Sequence, residues 1–506
     1  MQGLCLFMTE TFITEIQIPR ANAGVSAVQR YFKSIFTDLG FQQELCYHFE
    51  LAIEEGLNSL FEYAMDENSK ELLRIRIEFR EDEIRVNMSV KGRPINVDTL
   101  SKYQSGEMTE NADAEGLGLF LIQGVMDTVQ WRYLEKHGQE LFFAKRLPLP
   151  TDLEAKKHIG QTRSKAYGLI APEMISNAEI SFRQVESIED AFAVTSCAYD
   201  LYNYNYKDVV YYPNELLHRN KNHLMHSWIA VDEKLNVYGH YAWIKRKPGD
   251  SIAEMGAAFV RPEYRRFGIF NGLAVGLHED AYRNGLRGLF ALSVTNITTT
   301  QKHSEAYGRY TVGVRISSSP AIFVDGAKEG ERVSTVLNYK QLISRRAKGV
   351  YIHPYYREIV VDSYQTISLE IIEKEHHKNG NRFEEYFDNY RENDWSRALI
   401  SARGGESIQK KLATITRVLV ENGILSIVLS IDLEDSSAIE LVDYARSIGF
   451  FYSGIFPESF FDGHDSIQLQ YLNNITVDAS VISIHQVSGR RIFDFIRKEV
   501  PHIFKT

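Results

Sequence analysis

Cysteine is nearly absent from this chain of 506 residues, which carries only Cys5, Cys46 and Cys197, widely spaced. That excludes a disulfide framework or a structural zinc site built on thiolates, and it suits a reducing cytoplasm. No apolar run approaches the ~18 residues that a membrane-spanning helix requires. The start, Met1 to Met8, is apolar but short and lacks a basic region, so it does not read as a signal peptide, and Met8 is a second candidate for the start that the sequence does not decide. Long basic stretches are also missing. The net charge is −10, and the basic clusters are as short as Lys245-Arg246-Lys247 and Arg345-Arg346, which argues against a nucleic-acid protein. There is no short-period repeat and no low-complexity tract. A cytoplasmic protein with no membrane and no nucleic-acid partner is expected.

What the chain does have is enough length for about three domains at the usual ~100–200 residues each. Two seams divide it. One spans 148–178 and is rich in Pro, Lys and polar residues; the other lies near Arg345-Arg346-Ala347-Lys348-Gly349. Strand-like and helical patterns alternate between the seams, so the expected class is α+β.

The most informative stretch is Val260-Arg-Pro-Glu-Tyr-Arg-Arg-Phe-Gly-Ile-Phe270. An apolar strand ends in a proline, two arginines and a glycine, and a helical run follows from Asn271. Such a turn offers free amides at a helix start beside guanidinium groups, with a glycine allowing close approach, a chemistry suited to a pyrophosphate. Its order resembles the acetyl-CoA motif of the GNAT acyltransferases, Arg/Gln-x-x-Gly-x-Gly/Ala. Arg265 and Gly268 match, whereas Phe270 stands where the family prefers glycine or alanine. The flanks agree with that family: two strands around a polar turn over Ser227–Ile244, a buried strand over Gly288–Asn296, then Thr300–Gly308 and Gly313–Ile316. The resemblance implies acetyl-CoA as cofactor, with Val260, Arg265, Arg266, Phe267, Gly268, Ile269, Phe270 and Asn296 around it.

Nearer the start, Phe49–Ala64 has apolar residues at helical spacing and sets Glu54 and Asn58 one turn apart on one face. Later, Gly116 and Gly118 precede an apolar helix that ends in Met126-Asp127 and could wrap phosphates at its N-terminus. Together these residues resemble the two main boxes of the GHKL ATPases, in the anti-sigma-factor serine-kinase branch, over about Ile16 to Leu147. The resemblance implies ATP held by Glu54, Asn58, Gly92, Gly116 and Gly118, with Asn58 on Mg2+. One box departs. Where the family has Asp-x-Gly, this chain has Val90-Lys91-Gly92-Arg93-Pro94, and valine cannot accept the hydrogen bond of an adenine amino group.

Amine acylation needs a base for the ammonium proton and an acid for the leaving thiolate. Glu254 is the only carboxylate on the strand before the phosphate turn and is the candidate base; otherwise it is a rim carboxylate binding a cationic substrate. Where the family places its acidic tyrosine this chain has Ser304, so the acid falls to His303, Tyr307 or Tyr310. Gln301 either orients the cofactor or caps a short helix. The tyrosine-rich Asp200–Asp208 either walls a substrate pocket or packs between domains.

Beyond Val350, Trp395–Ile400, Gly423–Ile431, Ile439–Phe451 and Asp465–Tyr471 follow the order of the second half of a GNAT domain without an Arg-x-x-Gly turn. The expected plan is a GHKL (Bergerat-type) α/β sandwich over 1–147, a linker over 148–178, a GNAT domain over 179–345 and a degenerate GNAT-like domain over 346–506. The resemblance implies a bacterial N-acyltransferase with a small-molecule amine or protein acceptor. Its N-terminal domain would sense nucleotide or dock a regulatory protein. The alternatives are a partner-switching regulator or serine kinase whose GNAT lobes only bind ligand, and a non-catalytic scaffold.

Overall fold

Alternation builds the first sheet. In Leu73–Phe79 and Glu83–Val90 every second residue (Leu73, Ile75, Ile77, Phe79; Ile84, Val86, Met88, Val90) is buried, while Arg74, Arg76 and Arg85 face outward. The computed structural model describes residues 12–39, 41, 43–80, 83–96, 116–147, 180–265, 267–320, 331–375, 382–392, 395–460 and 462–505. The apolar start, the 148–178 seam and Arg266 lie outside them. The protein is α+β. It divides into two compact units, the described parts of 1–218, 229–240 and 259–269 in one, and of 219–228, 241–258 and 270–506 in the other.

The first unit opens with β1 (Phe12–Ile18), α1 (Asn22–Asp38), α2 (Gln43–Ser59), β2 (Leu73–Phe79), β3 (Glu83–Val90), α3 (Leu117–Val125), β4 (Thr128–Tyr133) and β5 (Gln139–Arg146). Its antiparallel sheet has the order β1-β2-β3-β5-β4. Val25, Val28, Phe32 and Phe36 recur at helical spacing on α1 and join Phe49, Ala52, Ile53 and Leu57 of α2 over the buried sheet face. Phe36 centres this core, 5.2 Å from Phe49 and 5.7 Å from Phe79. The helix expected through Ala64 is α-helical only to Ser59, and its last turn, Leu60–Ala64, is a π-turn. The Ala64 carbonyl at its end accepts the Arg93 amide.

The chain continues through β6 (Ser181–Gln184), α4 (Ile188–Tyr202), α5 (Pro213–Lys221), β7 (Met225–Val231), β8 (Val237–Ile244), β9 (Ile252–Val260), α6 (Ile269–Arg283), β10 (Gly288–Val294), α7 (Thr299–Ala306), β11 (Tyr310–Pro320) and β12 (Arg332–Gln341). A capping box fixes the start of α4: Ser187 Oγ accepts the Asp190 amide and the Asp190 carboxylate accepts the Ser187 amide, and that carboxylate also pairs with Arg183. Then follow β13 (Lys348–Val350), α8 (Arg357–Thr366), β14 (Ile371–Glu373), β15 (Tyr386–Glu392), β16 (Arg397–Arg403), α9 (Glu406–Glu421), β17 (Ser426–Asp432), α10 (Ala438–Ser447), β18 (Phe451–Phe456), β19 (Ser466–Leu472) and α11 (Val487–Glu499).

Among the described residues the second sheet has the order β15-β16-β17-β19-β18-β11-β12-β10-β9-β8-β7-β6. Read from its centre outward, the sheet repeats itself. On one side β9 and β10 are parallel neighbours joined through α6, followed by α7 and the antiparallel β11 and β12. On the other side β16 and β17 are parallel neighbours joined through α9, followed by α10 and the antiparallel β18 and β19. The halves meet antiparallel at Gly313 and Gly454. Parallel neighbours need a crossover connection, which α6 and α9 supply.

Candidate functional site

Between β9 and α6 the chain makes a short 3-10 turn (Pro262–Tyr264), with Tyr264 buried against Tyr238 and Arg265 Nε 3.4 Å from the Val260 carbonyl. Gly268 holds φ +79°, a left-handed conformation that favours glycine, and the space where a Cβ would stand is open. Phe267 beside it is 69% exposed, and Ile269 is buried. The first amides of α6, like those of any α-helix, lack intrahelical partners.

Strands β9 and β10 pair only over Ile252–Glu254 and Gly288–Phe290, and the parallel register goes no further. Past that point β9 carries Ala257 at φ +51°, a conformation uncommon for a residue with a Cβ and frequent at bulges. Just beyond β10, Asn296 Oδ1 is buried without a hydrogen-bond partner. In the first unit the positive-φ glycine at a helix start suits an anion, and in the second the parting pair and the orphaned acceptor leave hydrogen-bonding groups to be met. Phe270 is directed onto Tyr241 and His303, with ring centroids 4.9 and 4.1 Å away.

The three catalytic candidates fall in one unit. His303 and Tyr307 touch (4.6 Å), and Tyr307 stacks on His278 at 4.8 Å. Arg309, fully buried, lies 3.0 Å from His278 Nε2. Burial, with the charge of Arg309, pushes His303 down to about 3; burial likewise pushes His278 down to about 4, against a hydrogen bond to the Ala274 carbonyl. A neutral imidazole is a poor proton donor to a thiolate near neutrality. Burial raises the Tyr307 phenol, opposed by Arg309. Tyr241 is the residue that sequence reasoning missed: a buried phenol on β8, raised by burial, in contact with His303 and Phe270, with Arg309 and Glu254 both acting on its ionisation. Ser304 is buried, 3.4 Å from Ser293 Oγ. Gln301 serves structure: its Nε2 donates to the carbonyls of Val294, Ile297 and Ser483, and its Oε1 accepts the His485 amide.

Both depressed imidazoles carry a pH prediction. A folded pKa below the ordinary value of ~6.5 means that the unfolded chain binds more protons. Stability from His278 and His303 is therefore present above about pH 6.5 and falls as the pH drops toward their folded values. Urea midpoints measured between pH 7.5 and 4.5 should decline less steeply in His303→Asn than in the parent. Parallel slopes would remove His303 from this account.

In the first unit, Glu54 and Asn58 are exposed on α2, and Glu54 accepts from Gln29 Nε2 at 2.8 Å. Gly116 (φ +81°) opens α3, and a Cβ on Gly118 would lie 2.8 Å from Ser59 Oγ and 2.9 Å from Glu55 Oε2, so α3 sits on α2 as closely as glycine allows. The two boxes are thus adjacent. The third is closed: Val90 is buried in the core, and a Cβ on Gly92 would lie 1.9 Å from the Ala64 carbonyl oxygen. The Gly92 carbonyl accepts the Tyr204 hydroxyl at 2.5 Å, and that of Pro94 accepts Ser196 Oγ at 3.2 Å. No side-chain acceptor stands at Val90, where the resemblance places an aspartate.

Residues 18–145 match the histidine kinase-like ATPase domain model. Over 125 residues the chain is 30% identical to serine-protein kinase RsbW of Staphylococcus aureus (strain MSSA476), an alignment covering 24% of this chain and 78% of that protein. The same figures hold for RsbW of strain Newman. The chain belongs to the histidine kinase-like ATPase family. Similar solved structures include an N-acetyltransferase of Staphylococcus aureus Mu50 (16% identity, TM-score 0.28, 33% of this chain and 100% of that one). Another is a ribosomal-protein-alanine N-acetyltransferase of Brucella melitensis (17% identity, TM-score 0.27, 32% and 99%).

The histidine kinase-like segment accounts for neither half of the second sheet. In the C-terminal half the turn after β16 is Arg403-Gly404-Gly405, and its chemistry is satisfied internally. Arg403 Nη1 lies 3.0 Å from Asp432 and 2.7 Å from Asp462, with His464 Nδ1 2.9 Å from Asp432. Asp432, Asp462 and His464 could surround a metal by distance, yet the Arg403 guanidinium already binds both carboxylates. At the start of α9, the Glu385 carboxylate accepts from the Gly405 amide and the Ser407 hydroxyl.

Proposed function

We propose that this protein is an acyl-CoA-dependent N-acyltransferase of GNAT type, regulated or docked through its histidine kinase-like segment. The observation that carries this reading is the parting of β9 from β10 after three paired residues, with the positive φ of Ala257 and the orphaned Asn296 Oδ1 beyond it. Bound acetyl-CoA would supply a thioester-activated acyl carbon. Glu254 takes the ammonium proton of an amine acceptor, a small molecule or a protein side chain. Arg265 and Gly268 receive the diphosphate. Tyr241, a buried phenol against Phe270 and His303 whose ionisation burial opposes, holds the proton in place of the neutral His303. On this reading 1–147 is the ATPase-like lobe, 179–345 the acyltransferase lobe and 346–506 its degenerate copy.

The test is thermal unfolding of the whole chain with and without acetyl-CoA. At ~100 times its Kd the ligand stabilises by about 2.7 kcal/mol, and the midpoint rises. Gly268→Val, which forces a β-branched side chain into a left-handed position, should abolish that rise while leaving the unliganded midpoint within a few degrees. A parent chain whose midpoint ignores acetyl-CoA would remove the reading. The second reading, phosphotransfer to a protein partner, draws on the likeness to a serine-protein kinase. It predicts ATP-dependent labelling of a partner that Glu54→Gln removes. The buried Val90 weighs against it.

A further inference from the structure

One carboxylate in the first unit touches both ligand loops. Asp200, on α4 and 13% exposed, has Arg93 Nη2 2.8 Å from its Oδ1 and Arg261 Nη2 2.8 Å from its Oδ2. The first contact is an ion pair by distance without hydrogen-bond alignment; the second is a hydrogen bond. Arg93 belongs to the Val90–Pro94 loop. Its amide donates to the Ala64 carbonyl, its own carbonyl accepts Gln139 Nε2, and its guanidinium also lies 3.5 Å from the half-exposed Asp66. Arg261 is the first residue after β9, at the root of the turn leading to Gly268. It is fixed by an amide bond to the Tyr238 carbonyl and by Nε donating to the Val237 carbonyl.

Helix α4 presents Ser196 and Asp200 one turn apart, and Tyr204 follows just past its end. These three side chains bind successive backbone or side-chain groups of Gly92, Arg93 and Pro94. A shift of that loop therefore pulls on Asp200. Asp200 holds the next guanidinium with its other oxygen, so the pull arrives at the root of the Arg261–Gly268 turn. Charge-assisted contacts of this kind are stronger than neutral hydrogen bonds, and contiguous networks of them can carry coupling between sites.

We propose that Asp200 is a positioning residue that ties the Val90–Pro94 loop to the Arg261–Gly268 turn, so that the state of the ATPase-like lobe sets the affinity of the turn for acyl-CoA. Its ligand rests on the acyltransferase reading; the mechanical tie does not.

The experiment is a double-mutant cycle in the full chain, using Arg93→Gln, Asp200→Asn and the pair together. Two measurements are made on each: the acetyl-CoA Kd by calorimetry, and amide exchange at Arg261, Tyr264 and Arg265. Arg93→Gln, far along the chain from the turn, should weaken acetyl-CoA about tenfold and speed exchange at those amides. Asp200→Asn should do the same, and the double variant should be no worse than Asp200→Asn alone, since both act on one link. Should Arg93→Gln fail to fold, Arg93→Lys keeps the charge, loses the planar fork and tests the same link. Unchanged Kd and unchanged exchange in the Arg93 variant, or strictly additive effects, overturn the proposal. If the parent chain takes no acetyl-CoA, the acyltransferase reading falls and the exchange data alone decide the tie.

Discussion

Gly454→Val is expected to unfold the second unit at temperatures where the parent is intact, with a loss of roughly 3–5 kcal/mol. At φ +143° the backbone is one that side chains with a Cβ rarely adopt, and a Cβ there would lie 2.3 Å from Gly313 Cα and 2.5 Å from the Val312 carbonyl oxygen. Nothing near it is a flexible side chain that could move aside. Gly313 is no freer, because its own Cβ would meet the Ser453 carbonyl at 2.8 Å. This glycine pair is where β11 and β18 join the two halves of the sheet. Gly285→Ala is the control: φ is +67°, but the space around it is open, so only backbone strain of about 1 kcal/mol applies. Calorimetric scans of both variants check this. A valine variant melting with the parent would mean that the halves are not held at this crossing.

Asp465→Asn should cost about 3–5 kcal/mol, because it takes the two-point partner from a buried guanidinium and leaves it only the Glu458 carboxylate, 3.8 Å away. Asp465 is fully buried, with Arg345 Nη1 and Nη2 at 2.5 and 2.6 Å from its two oxygens and the Arg345 side chain 2% exposed. Lys348 lies 3.3 Å away, and the Tyr364 hydroxyl and Glu458 amide donate to the same carboxylate. Burial alone would push this carboxyl up. The hydrogen bonds and charge of Arg345, with Lys348 behind, outweigh it and hold the group below the usual carboxylate range. A depressed folded value contributes stability above the unfolded value of ~3.9, lost as the pH falls through the folded one. Acid unfolding of Asp465→Asn should therefore be shallower below about pH 4, from a lower plateau at pH 7. Replacing Arg345 and Asp465 together by leucine should cost less than the single change; an equal or larger cost would show that the pair is not acting as a pair.

Local signals made much of this legible. The Glu54/Asn58 and Gly116/Gly118 boxes lie on short contiguous segments whose helical period and glycines declare themselves, and the Val260–Phe270 turn did the same for the second sheet. Distant pairing was not legible. Nothing in the spacing of Arg93, Asp200 and Arg261 marks them as partners, since a salt bridge leaves no periodic trace. The tyrosines of Asp200–Asp208 left a substrate wall and a packed surface both open from sequence; Tyr204 and Tyr211 are buried, with the Tyr204 hydroxyl donating to the Gly92 carbonyl. Tyr241 was hidden because β8 is buried on both faces, so no alternation singles out one side chain. The contact of Glu385 with the start of α9 was invisible for a related reason: Glu385 lies outside any regular element and reaches α9 from elsewhere in the chain.

That carboxylate bears on what each half can still take up. The start of α9 already receives the Glu385 side chain, on the Gly405 amide and the Ser407 hydroxyl, whereas no described atom beyond its chain neighbours lies within 4 Å of the place where a Cβ on Gly268 would stand. On the acyltransferase reading proposed above, only the half that holds Gly268 keeps a helix start for a donor, and the C-terminal half would not answer to its supply.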